Sequence, residues 1–264
     1  MADRSDGILV RHEGEISTIT FNRPERLNAL DPATLLEFMD VIHEEDLEPE
    51  TKAIVLTGAG RAFTAGGDIK SFGSAPDHRV NRRGWHLVYR MLEVEKPVVA
   101  MVNGPAMGFG LTIALLSDLI IAADDAVLGD PHVELGAVAG DGVAIVLPLL
   151  IGPHRAKELL LTGRKVTGAQ AAELGMINHA VPASELESVS YALAKDLAAQ
   201  PTYALRATKM VVNRYVRWMA GQVLDVALAY EEISRGLPEY REAVEKWKTR
   251  QGMDATAKDP GEAG

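Results

Sequence analysis

Two glycine-rich turns, each following an apolar run with the character of a strand, constrain the fold of this 264-residue chain more than any other feature. The first is Phe63-Thr-Ala-Gly-Gly-Asp-Ile-Lys70 and the second is Asn103-Gly-Pro-Ala-Met-Gly-Phe-Gly-Leu111. Such turns expose backbone N–H groups, and the second leads into a helix whose N-terminus favours an anion. Paired N–H donors aimed at a developing oxyanion contribute roughly 3 to 4 kcal/mol each to transition-state stabilisation. The turns therefore predict a site for a negatively charged oxygen, with tight packing as the structural alternative.

Strand-like and helix-like segments alternate through the first half of the chain. Strands are predicted at residues 16–21, 52–57, 97–102, 119–123 and 126–128, and helices at residues 31–45, 83–92 and 111–116. Asp31 is expected to cap the first helix, with Pro32 at its first position. In the second half the predicted elements are helices at residues 154–161, 168–174, 184–199 and 202–235. This order predicts an α/β fold with a helical C-terminal third.

Composition excludes several classes of function. The net charge of −10 argues against nonspecific nucleic-acid binding, because that activity needs a basic face. The chain has no cysteine, so it has neither disulfides nor a thiolate nucleophile. Its histidines and acidic residues do not show the sequence spacing of metal ligands, and no metal site is predicted.

No membrane span is predicted either. The apolar run from Val143 to Ile151 is too short to cross a bilayer and contains Pro148. The first seven residues lack the apolar core of a secretory signal. A cytoplasmic protein is therefore expected.

Several motifs in the chain, taken in order, resemble those of the crotonase (enoyl-CoA hydratase/isomerase) superfamily. They are Phe21-Asn-Arg-Pro-Glu-Arg-Leu-Asn-Ala-Leu30, Ala62-Phe-Thr-Ala-Gly-Gly-Asp-Ile-Lys70, Val102-Asn-Gly-Pro-Ala-Met-Gly-Phe-Gly110, Ser117-Asp-Leu-Ile-Ile-Ala-Ala123, Leu161-Thr-Gly163 and Ala171-Ala-Glu-Leu-Gly-Met-Ile177. The resemblance extends over about residues 8 to 250. It implies a crotonase-like spiral of ββα units over residues 1–195 and a C-terminal helical trimerisation subdomain over residues 196–264.

The resemblance also implies a substrate, an assembly and a set of binding residues. The substrate would be an acyl-CoA thioester, with CoA present only as part of that substrate, and the chain would form a trimer or a dimer of trimers. By position, the N–H groups of Gly67 and Phe109 would form the oxyanion hole. CoA would lie along Arg26, Leu27, Asn28, Ala65, Asp68 and Ile69. Tyr215, Trp218 and Met219 have helical spacing, which is typical of packing, with an oligomer contact as the alternative.

The chain departs from the family at two positions that matter for mechanism. Enoyl-CoA hydratases resemble one another in a pair of glutamates, and the matching positions here hold Thr112 and His132. A threonine hydroxyl is not a general base near neutral pH, and one histidine does not replace two carboxylates without a second group. The glutamate-pair mechanism is therefore not available to this chain.

A histidine and an aspartate offer different proton chemistry. His132 follows Asp130-Pro131, and Asp141 lies in Ala139-Gly-Asp-Gly142. A histidine can take a proton from water near neutral pH, and a carboxylate can orient it and stabilise the imidazolium. His132 and Asp141 are therefore predicted to form a water-activating pair. Structural roles are the alternatives: a histidine filling the space of a lost glutamate, and a turn aspartate between glycines.

Three functional hypotheses follow. The first is an acyl-CoA lyase or isomerase of the enoyl-CoA hydratase/isomerase type. The second is retro-Claisen hydrolysis of a C–C bond in a β-diketone, because His132 and Asp141 are similar to the pair of the oxocamphor and β-diketone hydrolase branch, which does not use CoA. The third is a family member without catalysis. Glu134 and His86 are further candidates for the site. Glu134 is interpreted as a solvated side chain. His86 is similar in position to the active-site histidine of halobenzoyl-CoA dehalogenases.

Overall fold

A computed structural model describes residues 7–68 and 78–250 and contains two β-sheets. The strands are β1 (Ile8–Glu13), β2 (Ile16–Phe21), β3 (Ala53–Gly58), β4 (Val98–Val102), β5 (Ala106–Met107), β6 (Leu119–Ala123), β7 (Val127–Gly129), β8 (Val166–Thr167) and β9 (His179–Val181). The larger sheet has the order β1-β2-β3-β4-β6-β9, in which only the β1–β2 pair is antiparallel. The smaller sheet has the order β5-β7-β8, with β5 and β7 parallel. The side chains of β3 and β4 are buried throughout, as expected for central parallel strands.

Helices surround the larger sheet and form the C-terminal region. They are α1 (Pro32–Leu47), α2 (His78–Glu93), α3 (Phe109–Leu116), α4 (Val143–Thr162), α5 (Gly168–Glu173), α6 (Leu186–Ala198), α7 (Thr202–Gly236) and α8 (Pro238–Arg250), with short 3₁₀ turns at Pro24–Arg26 and Val133–Leu135. Helix α6 packs against β3, β4 and β6, whereas α7 packs along α2 and α4. The predicted α/β class and helical C-terminal region are confirmed. The predicted division between residues 195 and 196 lies within α6 and stays a prediction.

The start of α1 follows directly from local sequence. Asp31 Oδ1 accepts a hydrogen bond of 2.8 Å from the backbone N–H of Thr34, and Pro32 occupies the first helical position. A proline is tolerated there because its missing N–H would have no partner inside the helix. The predicted cap is therefore confirmed.

Some elements differ from the sequence prediction. Strands β1 and β9 were not expected, since both lie at sheet edges and most of their side chains are exposed or half-buried, which removes the apolar alternation that identifies a strand. Helix α3 begins at Phe109 rather than at Leu111. The helix expected from residue 154 is the second half of α4, which is kinked at Gly152 (φ +78°, ψ +157°). Among residues 7–68 and 78–250, no helix combines the length and the apolar character that crossing a bilayer requires.

Candidate functional site

The second glycine-rich turn and the Asp130–His132 segment lie side by side because they follow neighbouring parallel strands. Met107, at the end of β5, is in register with Gly129, at the end of β7. The backbone N–H of Gly108 donates to the carbonyl oxygen of Gly129 at 3.1 Å, which extends this pairing beyond the strands. Carboxyl ends of parallel strands meet at the same sheet edge, and ligand sites of α/β proteins form there.

The first glycine-rich turn contacts the second directly. Gly66 has a φ of +85°, and a Cβ atom placed on it would lie 2.3 Å from the carbonyl oxygen of Met107 and 3.3 Å from the backbone nitrogen of Phe109. A side chain at this position would overlap the neighbouring backbone. The two turns therefore approach each other at a distance that only glycine allows.

The two backbone donors of the predicted oxyanion hole are available. The N–H of Leu30 donates to Gly66 O, and the N–H of Asp68 donates to Leu30 O, so the N–H of Gly67 points away from Leu30. Phe109 is the first residue of α3, where an N–H has no partner inside the helix. Within the described part of the chain, neither Gly67 nor Phe109 donates a backbone hydrogen bond.

The imidazole of His132 lies against the second turn. Its Cε1 atom is 3.9 Å from the position that a Cβ on Gly108 would occupy. Its Nδ1 atom is 2.7 Å from Asp130 Oδ1, which also accepts a 3.0 Å hydrogen bond from the backbone N–H of His132. Asp130 therefore fixes both the ring and the backbone of His132, and the other ring nitrogen faces a different set of groups.

Two further carboxylates face His132 Nε2. Asp141 Oδ2 is 3.9 Å away and Glu231 Oε1 is 3.7 Å away. Both distances exceed a direct hydrogen bond, and a polar separation of this size suits a bridging water. Asp141 is fully buried and its Oδ1 accepts a 3.0 Å hydrogen bond from Thr112 Oγ1. Thr112 thus orients the buried carboxylate of Asp141, which another segment of the chain supplies.

Glu231 reaches the site because α7 packs against the turn that carries Asp141. A Cβ placed on Gly140 would lie 2.6 Å from Ala227 O and 2.7 Å from Glu231 Oε2, so glycine is needed for this contact. The Glu231 carboxylate also forms an ion pair with Arg235, one helical turn later. The C-terminal helical region therefore contributes a side chain to the site of the α/β core.

The structure brings the predicted pair of His132 and Asp141 together, but Asp130 is the residue hydrogen-bonded to the ring. Sequence reasoning missed Asp130 as a partner even though it stands two residues before His132. It also missed Glu231, for which no local signal exists, since a glutamate on a long amphipathic helix is ordinarily exposed. Near-complete burial of Glu231 is the structural sign of its role.

The electrostatics of the cluster set the resting protonation states. Burial disfavours charge on His132, but Asp130 and Asp141 outweigh it and hold the pKa of this imidazole well above its ordinary value. Burial, opposed by His132 and assisted by Asp130 and Glu231, raises the pKa of Asp141 to about 6. Burial opposes ionisation of Asp130 as well, but the charge of His132 and its hydrogen bonds keep the pKa of Asp130 below the usual range. Near neutral pH His132 is therefore a proton donor, and the carboxylate of Asp141 is a proton acceptor.

The segments predicted to bind CoA also lie side by side. Arg26 and Asp68 form an ion pair of 3.1 Å, and the backbone N–H of Ala65 donates to Leu27 O at 2.9 Å. Ile69 lies outside the described residues. Two contacts thus join the segment of residues 26–28 to the segment that contains the Gly66–Gly67 turn, which places these two predicted CoA-binding segments next to each other.

The side chain of Asn28 is already committed to the fold. Asn28 Nδ2 donates to the carbonyl oxygens of Ala59, Ala62 and Phe63, and Oδ1 accepts from the N–H of Arg23. Its φ of +57° is one that asparagine adopts more readily than most residues. The side chain of Asn28 therefore stabilises the turn and is not free to bind a ligand.

Asn28→Asp is expected to destabilise the protein by about 3 kcal/mol or more. The change conserves shape but places a carboxylate against three carbonyl oxygens, and a buried charged group without donors costs more than a neutral one. Urea unfolding followed by circular dichroism measures the effect. Asn178→Asp is the matched control, because Asn178 accepts from the N–H of Ile120 through Oδ1 and an aspartate retains that bond. Equal stability of the two variants would contradict the assignment.

The two remaining candidate residues, His86 and Glu134, are not among the described residues that pair with the His132 ring. His86 lies on α2 and is exposed, and Glu134 is half-exposed with Lys165 Nζ at 3.9 Å. No metal site was predicted from sequence spacing. The fold nevertheless places one ligand atom each of Asp130, His132 and Asp141 within 4.8 Å of one another.

Comparisons with known proteins extend over nearly the whole chain. A family model described as enoyl-CoA hydratase/isomerase matches residues 11–249. A short-chain-enoyl-CoA hydratase from Clostridium acetobutylicum is 35% identical over 236 residues, which cover 88% of each protein. A 1,2-epoxyphenylacetyl-CoA isomerase from Escherichia coli is 33% identical over 258 residues, which cover 95% of this chain and 98% of the relative.

A solved structure shows the same architecture. The crystal structure of an enoyl-CoA hydratase/isomerase from Mycobacterium paratuberculosis matches with a TM-score of 0.87 and 36% sequence identity. The match covers 92% of this chain and 99% of the other. The parallel sheet and the C-terminal helical region are thus shared with a solved structure.

Proposed function

Because this chain belongs to the enoyl-CoA hydratase/isomerase family of the crotonase superfamily, we propose that it acts on an acyl-CoA thioester through an enolate. The names of its relatives, a hydratase and an isomerase of acyl-CoA substrates, support an enzyme of hydratase/isomerase type. They also weigh against a family member without catalysis. The only CoA in this proposal is the one that the substrate carries.

The observation that carries the proposal is the contact between the two glycine-rich turns beside His132. A Cβ atom placed on Gly66 would lie 3.3 Å from the Phe109 nitrogen, and one placed on Gly108 would lie 3.9 Å from Cε1 of the imidazole. A carbonyl oxygen between the N–H groups of Gly67 and Phe109 would accept two hydrogen bonds. Those bonds strengthen as the oxygen becomes an enolate oxyanion, so they favour the transition state over the bound substrate.

The buried cluster supplies the proton transfers. In a hydration, the oxygen of water would form a bond to the β-carbon, and the electron pair of the C=C bond would move to the thioester oxygen. Asp141, whose Oδ2 faces His132 Nε2, would accept the proton of that water, with Glu231 as the second carboxylate beside it. The imidazolium of His132 would then donate its proton to the α-carbon as the enolate collapses. An isomerisation would use the same acceptor and donor without the water.

Ligand binding and turnover test this function separately. Calorimetric titration with CoA and with crotonyl-CoA is expected to give saturable binding, with crotonyl-CoA the tighter ligand because it also fills the oxyanion hole. A spectrophotometric assay then follows the loss of the crotonyl-CoA double bond. Absence of binding at millimolar concentrations of both ligands would overturn the acyl-CoA proposal.

A second candidate reaction is the hydrolysis of a C–C bond in a β-diketone. It is favoured by one observation, the three carboxylates around His132, because hydrolysis needs a base for water and an acid for the carbanion. The oxyanion hole would receive the enolate released by bond cleavage. Cleavage of a cyclic β-diketone by a protein that does not bind CoA would select this reaction over the first. Turnover in either assay that disappears in Asp141→Asn would exclude a non-catalytic role.

Self-association through α7 is part of the same proposal. Tyr215 and Trp218 are exposed, whereas Met219 packs against the core, so only the last of these residues has the predicted packing role. The exposed apolar residues of α7 with helical spacing are Val211, Tyr215, Trp218, Val226, Tyr230 and Ile233. Exposed apolar residues along one helix face, here in two groups on either side of Gln222, are typical of a subunit interface and support a trimer or a dimer of trimers.

Trp218→Glu is expected to dissociate the assembly, because a charge at the centre of an apolar interface loses its hydration. Light scattering after size exclusion should then show a mass that falls from a multiple of 28.4 kDa to 28.4 kDa. Glu187→Gln, a change outside α7, serves as the control and should leave the mass unchanged. A wild-type protein that already runs as a monomer would contradict the prediction.

A further inference from the structure

Thr112 uses its hydroxyl differently from most threonines and serines of helices. Such a hydroxyl commonly donates to the carbonyl oxygen one turn earlier, as Ser117 Oγ does at the end of α3, where it donates to Ile113 O at 3.0 Å. Thr112 Oγ1 instead donates at 3.0 Å to Asp141 Oδ1, which lies 29 residues later in the chain. The side chain of Thr112 is fully buried, so bulk solvent does not compete for this bond. The hydroxyl therefore serves a carboxylate and not its own helix.

The methyl group of Thr112 restricts the direction of that hydroxyl. A Cβ atom placed on Gly142 would lie 3.0 Å from Thr112 Cγ2, so the methyl group packs close to the backbone that follows Asp141. The χ1 angle of a β-branched side chain has few favourable values in a helix. One side chain of α3 thus holds Asp141 by a hydrogen bond and Gly142 by packing.

The hydrogen bond from Thr112 decides which way the Asp141 carboxylate faces. Asp141 is fully buried, and within the described part of the chain its Oδ2 atom accepts no hydrogen bond. With Oδ1 held by Thr112, Oδ2 is the oxygen that lies 3.9 Å from His132 Nε2. The terminal torsion of an aspartate is broad and nearly two-fold, so the carboxylate would lose this fixed orientation without the donor. Thr112 therefore directs one unbonded oxygen at the imidazole.

The same bond favours the ionised form of Asp141 among several charged neighbours. Burial disfavours the charge, His132 favours it, and the carboxylates of Asp130 and Glu231 disfavour it. Glu231 in turn forms an ion pair with Arg235 on α7. A hydrogen bond donated to a carboxylate stabilises its charged form. Loss of the hydroxyl donor would therefore raise the pKa of Asp141 above its value of about 6.

We propose that Thr112 is a positioning residue for proton transfer, whose hydroxyl directs Asp141 Oδ2 toward His132 and keeps the buried carboxylate ionised. The inference rests on the proposed function, in which Asp141 accepts the proton. Thr112 acts through Asp141 and not by contact with the substrate. Its loss therefore changes the rate and the pH dependence of the reaction but not the affinity for the acyl-CoA.

Thr112→Val tests this role, because valine has nearly the shape of threonine but no hydroxyl. We expect kcat near neutral pH to fall by about tenfold or more, since a hydrogen bond to a charged group is lost. The acid limb of the pH profile of kcat/KM reports the ionisation of the proton acceptor and should move upward by about one pH unit. The KM should stay nearly unchanged. Thr112→Ser keeps the hydroxyl and should restore most of the rate.

Ser117→Ala is the matched control, because it removes another buried hydroxyl, one that donates to a backbone carbonyl. It should leave the acid limb in place even where it lowers stability. Infrared titration of the protein without substrate follows Asp141 directly. The carboxyl band that Asp141→Asn removes should titrate at higher pH in Thr112→Val than in the wild type. A wild type without turnover would count against the proposed function, and the infrared titration would still decide the role of Thr112.

Three results would overturn the role of Thr112. They are an unchanged rate and pH profile in a folded Thr112→Val variant, an equal loss in Thr112→Val and Thr112→Ser, and an equal shift of the acid limb in Ser117→Ala. Circular dichroism reports whether each variant folds. If Thr112→Val does not fold, Thr112→Ala removes the same donor with a smaller side chain. Failure of both variants to fold would overturn the positioning role in favour of a structural one.

Discussion

His132→Gln is expected to lower kcat by about 10² to 10⁴ while leaving the KM for an acyl-CoA nearly unchanged, because the imidazole transfers a proton only as the transition state forms. The variant removes the acid that faces Asp141 and Glu231 but keeps an amide near Asp130, so the local packing is conserved. The proposed oxyanion hole would consist of backbone N–H groups, which this side-chain substitution leaves in place. Residual activity above the uncatalysed rate is therefore expected.

The measurement is steady-state kinetics on crotonyl-CoA or on whichever substrate the binding experiments select. His12→Gln, a histidine paired with Glu45 on the surface, should retain full activity. A kcat in His132→Gln within a factor of about two of the wild type would leave His132 with a structural role only. A raised KM at constant kcat would instead indicate a binding role.

Gly66→Ala is expected to reduce kcat/KM by about 10²-fold or more and to destabilise the fold by about 3 kcal/mol. The added methyl group would lie 2.3 Å from Met107 O, so the two turns must separate, which would distort the proposed oxyanion hole between Gly67 and Phe109. Loss of a single oxyanion donor costs roughly 10² to 10³ in rate. The φ of +85° adds strain of about 1 to 2 kcal/mol for a residue with a Cβ atom.

Gly175→Ala separates the two effects. Gly175 has a φ of +76°, and a Cβ placed on it meets nothing within 4 Å, so this variant carries the backbone strain without the overlap. We expect it to lose about 1 to 2 kcal/mol of stability and no activity. If both variants lose the same stability and neither loses activity, the close approach of the turns has no catalytic consequence.

Much of the fold could be predicted from patterns in the sequence. The buried strands β3 and β4 and the Asp31 cap of α1 were predictable, because each depends on a few adjacent residues. Strands β1 and β9 were not predictable. Their pairing with β2 and β6 provides hydrogen bonds for the backbone, while most of their side chains are exposed or half-buried. Edge strands of this kind are fixed by the neighbouring strand and not by their own residues.

The site was predictable only in part for a similar reason. The glycine-rich turns and the pair of His132 and Asp141 carry local motifs, and the fold brings them together. Glu231 gave no signal, because its burial depends on the packing of α7 against Gly140. For Asn28 the sequence indicated a role that its side chain does not have. The family motif suggested a contact with the ligand, but the side-chain amide donates hydrogen bonds to backbone carbonyl oxygens and so stabilises the fold.

The two glycine-rich turns have a consequence for how such a chain can diversify. Their donors are main-chain groups, whose direction depends on the close contact of Gly66 with Met107 and not on the side chains around them. The proposed acid–base residues lie outside the turns: Asp130 and His132 follow β7, Asp141 precedes α4, and Glu231 lies on α7. In the proposed function, the enolate is therefore held by main-chain groups, and substitutions of the acid–base side chains can change the reaction while those main-chain groups keep their positions.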